Sequence, residues 1–283
     1  MGERLGGRLV AYRHGGLTFD VRDSGPLDGP VVVALHGFPQ TSASWAGVTE
    51  HLTAAGRRVL APDQRGYSPR ARPSMVEPYA LTHLVGDVLG LLDAAGVERA
   101  DLLAHDWGGG VAWALAATHP DRVRTLTVAS TPHPRALVAA MPHGQALRSW
   151  YMGLFQLPVL PEWLLGQPRV VGRLLGSPGS PRTTASAAFL ADRDAARASL
   201  AWYRAAARSV LGRGEPPGPV RVPTTYVWSD GDVALGRWAA EHTGAWVEAD
   251  YRFVVLEGVS HWIPDERPAE LARLALERMP AIP

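Results

Sequence analysis

Asp101-Leu-Leu-Ala-His-Asp-Trp-Gly-Gly-Gly110 carries a buried-strand pattern straight into a glycine-rich helix start. Its centre fits the pattern small-x-nucleophile-x-small, with Ala104, Asp106 and Gly108 in the three fixed places. Small residues on either side let the chain turn sharply between strand and helix, so that the middle side chain projects. That side chain is a carboxylate. With a reference pKa near ~4 and the positive end of a helix beside it, Asp106 is expected to be ionised at neutral pH without help from a base. A carboxylate suits displacement at a saturated carbon, leaving an alkyl ester on the enzyme, and suits direct amide hydrolysis poorly. The competing reading is an aspartate that only caps the helix.

Outward from this turn, short apolar runs recur at Val31–Leu35, Arg58–Ala61, Val123–Ala129, Thr224–Trp228 and Phe253–Leu256. Continuous, valine-rich runs of this length mark strands buried on both faces, as in a parallel sheet. Leu17–Arg22 alternates apolar and polar and reads as a half-buried strand. Helical patterns lie between them at Trp45–Ala54, Leu81–Ala94, Gly109–Thr118 and Ala269–Arg278. Such alternation implies an α/β fold, a mostly parallel sheet flanked by helices. It breaks between Pro132 and Val222, where helical pieces such as Ala185–Leu211 are split by Pro- and Gly-rich turns at Gly176–Pro181 and Gly214–Pro219. The expected organisation is a core in two parts, residues 1–131 and 223–283, with a mostly helical cap, or lid, inserted at 132–222.

Composition narrows the function. The chain has 283 residues, 46% hydrophobic and 19% charged, with a formal net charge of +1, so nothing points to nucleic acid or an acidic surface as partner. Cysteine is absent, which excludes disulfides, thiolate catalysis and Cys-ligated metal. The opening MGERLGGRLVAYRHGG lacks the apolar core of a signal peptide, and no apolar run approaches the length of a bilayer span. The cytoplasm is the expected compartment, with no membrane partner.

Three further loops follow strands. His36-Gly-Phe-Pro39 faces the turn at Asp106 and can offer backbone N–H groups, which assigns an oxyanion hole to Phe38 and Trp107; the competing reading is a plain Gly-Pro turn. His36 itself is expected to be a structural hydrogen-bonder. Tyr226-Val-Trp-Ser-Asp-Gly-Asp232 holds two competing carboxylates, Asp230 and Asp232, of which Asp230 could merely initiate the turn. Gly258-Val-Ser-His-Trp262 supplies His261 as candidate base. A lone loop histidine is ordinarily a surface residue. This one comes last in the order nucleophile, acid, histidine.

Taken together, His36-Gly-Phe-Pro, His105-Asp-Trp-Gly-Gly, Ser229-Asp-Gly-Asp and Ser260-His-Trp resemble the motifs of the soluble epoxide hydrolases of the α/β-hydrolase fold. The likeness covers nearly the whole chain and favours Asp232 as the acid. Tyr151-Met-Gly-Leu-Phe-Gln156 and Trp202-Tyr203-Arg204 resemble that family's two cap-tyrosine motifs. The resemblance implies that Tyr151 and Tyr203 hydrogen-bond the epoxide oxygen. The chemistry needs such donors, because an opening epoxide generates an alkoxide and a phenol with reference pKa near ~10 stays protonated at pH 7. Packing aromatics are the alternative. Gln64 and Ser68-Pro69 depart slightly from the family's Asp-x-Arg-Gly turn, read here as structural.

The implied cycle has two steps. Asp106 attacks an epoxide carbon, with Tyr151, Tyr203, Trp107 and Phe38 binding the substrate. His261, oriented by Asp232, then activates a water that hydrolyses the ester to a vicinal diol. No cofactor and no metal is expected. The partners are water and a small, largely apolar epoxide, since the stretch around Trp150–Leu165 is rich in Leu, Trp and Pro. A haloalkane dehalogenase would use the same aspartate, but a halide calls for N–H donors instead of phenols. A non-catalytic ligand-binding fold is the third reading.

Overall fold

The computed structural model describes residues 2–176, 179–212 and 214–282. Among the described residues, nine strands form one sheet: β1 (Gly2–Leu5), β2 (Arg8–His14), β3 (Leu17–Ser24), β4 (Val31–Leu35), β5 (Arg58–Pro62), β6 (Ala100–His105), β7 (Val123–Ala129), β8 (Thr224–Gly231) and β9 (Tyr251–Ser260). Their order is β1-β2-β3-β5-β4-β6-β7-β8-β9. The first three strands and the β3–β5 pair are antiparallel; every pair from β5 to β9 is parallel. All five residues of β4 and of β5 are buried, as strands covered on both faces must be.

Helices cover the two faces. α1 (Ala46–Ala54), α2 (Leu81–Ala95) and α3 (Trp107–Thr118) precede β7. α4 (Pro134–Ala139), α5 (Gln145–Arg148), α6 (Trp150–Leu154), α7 (Leu160–Leu165), α8 (Pro168–Leu174), α9 (Pro181–Ala191) and α10 (Arg193–Leu211) lie between β7 and β8. α11 (Arg237–Glu241), α12 (Ile263–Glu266) and α13 (Pro268–Arg278) complete the chain. One core packs Val33, Leu35, Leu102 and Ala104 against α2 and α3. The other packs Val32, Ala34 and Leu103 against α1 and α13. Alternate residues of single strands thus feed opposite layers, the period-two geometry of a strand.

Two features differ from the sequence reading. The strands β1 and β2 were not foreseen. The helical piece expected at Ala185–Leu211 is two helices, broken at Asp192, whose backbone is extended and whose carboxylate accepts from the Asp194 N–H at 2.9 Å. An aspartate that can cap an N-terminus ends one helix and starts the next. Of the turn expected at Gly176–Pro181, Ser177 and Pro178 lie outside the described residues.

The sheet's register sets up the site. Leu35 pairs with Ala104, His105 with Ala129, and Gly231 with Ser260. The carboxyl ends of these five strands therefore stand together, and the residues that follow them share one rim, where parallel α/β sheets bind their ligands.

Candidate active site

β6 ends at His105, and Asp106 turns the chain with φ 50° and ψ −124°. A positive φ is strained for a residue with a Cβ, and such strain is held only where the surroundings enforce it. Here they do. A Cβ on Gly108 would lie 2.2 Å from the Leu35 carbonyl oxygen, and one on Gly37 would lie 2.3 Å from Cβ and Oδ1 of Asp106. The Asp106 carbonyl accepts from Thr131 Oγ1 at 2.7 Å and from the Gly109 N–H at 2.8 Å. Although Asp106 stands at the N-cap of α3, its side chain makes no capping bond. Instead Oδ1 accepts from the Phe38 N–H at 2.7 Å, and the Trp107 backbone N–H also hydrogen-bonds the carboxylate. Burial pushes the carboxyl up, but the bond to His261 and that ring's charge outweigh it and hold Asp106 below the usual carboxylate value.

Asp232 and His261 leave adjacent strands at the paired Gly231 and Ser260. His261 Nδ1 lies 2.8 Å from Asp232 Oδ2, and Nε2 lies 3.5 Å from Asp106 Oδ2. Asp232 Oδ1 accepts from the Ala234 and Leu235 N–H groups at 2.8 and 2.9 Å. Asp230 is elsewhere engaged: it is exposed and accepts from the Gly258 N–H at 2.8 Å. Burial opposes a charge on His261, yet the carboxylates of Asp232 and Asp106 prevail and lift its pKa to about 10. The histidine loop is further fixed by Glu266, which accepts from the Ser260 N–H at 3.0 Å and from Ser260 Oγ at 2.6 Å.

Above the carboxylate stand aromatic rings. Tyr203, on α10, has its ring centroid 5.3 Å from Phe38, 4.9 Å from Trp107, 4.9 Å from Phe155 and 6.2 Å from Tyr151, on α6. Burial first, then the nearby Asp106 carboxylate, raises the pKa of Tyr151 above its ordinary value; burial, Tyr151 and Asp106 do the same for Tyr203. Both phenols stay protonated over the neutral range. His36 accepts from the Gln64 N–H at 3.1 Å and takes no part in this group. Asp63 Oδ1 accepts from the Ser42 N–H at 2.8 Å, a structural bond that ties the turn after β5 to the segment after β4.

The residues expected from sequence thus converge: Asp106, Asp232, His261, Tyr151, Tyr203, Phe38 and Trp107 share one site, and Asp230 and His36 stand apart from it. Sequence reasoning missed His105, whose Nε2–H donates to the His261 carbonyl at 2.9 Å, as well as Glu266 and the α5 side chains Gln145 and Arg148. His105 alone left a signal, as part of the His-Asp-Trp motif. Among the described residues, no three His, Cys, Asp or Glu side chains gather as a metal site would require, and no helix is long and apolar enough to cross a membrane.

Comparison with known proteins identifies the fold. Residues 30–268 match the family described as alpha/beta hydrolase fold. The chain is 34% identical to the AB hydrolase superfamily protein YfhM of Bacillus subtilis, with 93% of this chain and 94% of that one covered. It is 32% identical to epoxide hydrolase A of Mycobacterium tuberculosis, again over 93% of this chain and 94% of the other. The crystal structure of epoxide hydrolase A from Mycobacterium thermoresistibile superposes with a TM-score of 0.78 at 28% identity, covering 95% of this chain and 97% of that one.

Proposed function

The chain belongs to the epoxide hydrolase family of the α/β-hydrolase fold, and on that premise we propose that it opens a small, largely apolar epoxide to a vicinal diol through an ester on Asp106. One observation carries the reading. The two oxygens of Asp106 are already divided in role: Oδ1 is bonded by the Phe38 N–H at 2.7 Å, while Oδ2 faces His261 Nε2 at 3.5 Å.

Oδ2 is the oxygen available to attack an epoxide carbon. Tyr151 and Tyr203, brought over it by the inserted helices acting as a lid, hydrogen-bond the oxygen that becomes the alkoxide and supply its proton. Attack cancels the charge on Asp106. One of the two carboxylates that kept His261 charged is thereby lost, and its pKa falls from about 10. The proton His261 releases restores the phenol and leaves a neutral imidazole, the form a general base requires. His261, still held by Asp232, then draws a proton from water, which attacks the ester carbonyl. The oxyanion develops on Oδ1, where the Phe38 and Trp107 N–H groups wait for it. Water is the co-substrate and no cofactor enters the cycle.

The test sets a panel of epoxides against matched haloalkanes and follows both diol and halide. Diol from epoxides, lost in Asp106→Ala with the fold retained, is the expected result. Halide release without diol would favour the dehalogenase reading. Tight binding of epoxides without turnover would favour a ligand-binding fold.

A further inference from the structure

Helix α5 lies against the loop that carries Asp232. Gln145 is buried, and its amide is fully used: Nε2 donates to the Ala234 carbonyl at 2.8 Å and to Ser149 Oγ at 3.0 Å, and Oε1 accepts from the Gly236 N–H at 2.9 Å. One turn later Arg148 Nη1 donates to the carbonyls of Asp232 at 3.0 Å and Val233 at 3.2 Å. Two side chains of one short helix therefore satisfy backbone groups of residues 232, 233, 234 and 236. Those residues have left β8 and have no strand ladder to meet their hydrogen-bonding needs. A primary amide carries both the acceptor and the donor that such a turn requires.

The turn matters because the Asp232 carboxylate is built on it. One carboxylate oxygen is held by the Ala234 and Leu235 N–H groups, and the other meets His261 Nδ1. We propose that Gln145, seconded by Arg148, is a positioning residue for ester hydrolysis: it fixes the Asp232 turn, and through that turn the orientation of His261. The chemical role given to His261 rests on the function proposed above; the chain of hydrogen bonds does not.

The deciding measurement is titration of the His261 ring by NMR, with its signal identified by its loss in His261→Gln. The charged and titratable groups against that ring are Asp232, Asp106 and His105, and no variant used here alters them. Gln145→Leu should lower the His261 midpoint by about one unit, and Gln145→Asn, which keeps a neutral amide on a shorter stem, by less. In single-turnover kinetics, Gln145→Leu should slow ester breakdown about ten-fold more than ester formation. A residue that served packing alone would lower Tm and leave that ratio and the titration where they were. A folded Gln145→Leu protein with wild-type titration and a wild-type ratio overturns the proposal. If Gln145→Leu does not fold, an unchanged midpoint in the charge-neutral Gln145→Asn overturns it. If no epoxide alkylates the wild-type enzyme, the proposed function falls, and the titration still decides the role of Gln145.

Discussion

The ring of His105, the residue before Asp106, donates from Nε2 to the main-chain carbonyl of His261 at 2.9 Å, so that the strand leading into Asp106 and the loop bearing His261 are joined directly. Ser130 Oγ donates to the same oxygen at 2.7 Å. Burial, helped by the charge on His261, pushes the His105 pKa down to about 4; burial does the same to His133, also to about 4. In the unfolded chain both would titrate near ~6.5. The unfolded state therefore takes up protons first, and stability should fall as pH drops from 6.5 towards 4. His261 acts in the opposite sense: its folded pKa of about 10 gives stability that is complete below ~6.5 and is lost as pH rises through 10. Unfolding free energy from denaturant titrations should peak near pH ~6.5, with each buried histidine contributing on the order of 1–3 kcal/mol on the acid side. A stability that rises steadily towards pH 4 would contradict these assignments.

His261→Gln should separate the two chemical steps. Asp106 needs no base to attack, so the variant should form the ester and fail to hydrolyse it. Mass spectrometry after mixing with a substrate epoxide should find the protein heavier by the full mass of the epoxide, and peptide mapping should locate the adduct on Asp106. Full turnover, or an adduct on another residue, would refute the division of roles.

Tyr151→Phe and Tyr203→Phe should each slow ester formation by roughly 10²-fold, and the double variant should be nearly inactive, since the alkoxide would then have no proton donor. The rate of ester breakdown should change little. Three variants with wild-type single-turnover rates would reduce both tyrosines to packing.

Gly37→Ala should disable the nucleophile from outside. The new methyl would lie 2.3 Å from the Asp106 side chain, so the carboxylate must move. Displacement of about an ångström from the attacking geometry is expected to cost roughly 10²-fold in ester formation, while overpacking lowers stability by only about 1–3 kcal/mol. Circular dichroism and single-turnover rates on one preparation would check both halves.

Much of this was legible in the sequence because Phe38, Asp106, Trp107, Asp232 and His261 follow strand ends, whereas Tyr151 and Tyr203, on α6 and α10, were legible only through their resemblance to cap-tyrosine motifs. Val31–Leu35, Asp101–Ala104 and Thr224–Trp228 announce themselves as buried runs, and in a parallel sheet the next few residues must reach one rim. Asp106 and His261 could be read on that logic; choosing Asp232 over Asp230 took the family resemblance. β1 and β2 could not: they lie at one end of the sheet, and the apolar run at residues 9–12 is only four residues long, bounded by Arg8 and Arg13 and flanked by glycines, a pattern too short to declare itself. Nor could the break at Asp192, since a polar residue between two helical runs looks like a solvent-facing helix position until its backbone is seen. Gln145 was silent for another reason. Its partners Ala234 and Gly236 lie 89 and 91 positions away, and no local pattern encodes a contact across that separation.

The bond from the Phe38 N–H to Asp106 Oδ1, with no room at Gly37 for the side chain to swing, gives the two oxygens of the nucleophile different histories. In the proposed cycle Oδ2 departs in the diol and an oxygen from water takes its place, whereas Oδ1 remains with the protein from one turnover to the next. Placed in heavy-oxygen water, each enzyme molecule would release an unlabelled diol first and then, every time after, a diol labelled at the one oxygen taken from Oδ2. A carboxylate free to rotate would mix its two oxygens, and unlabelled product would persist into later turnovers. Isotope content against turnover number would thus record how firmly one backbone amide keeps one atom in its place.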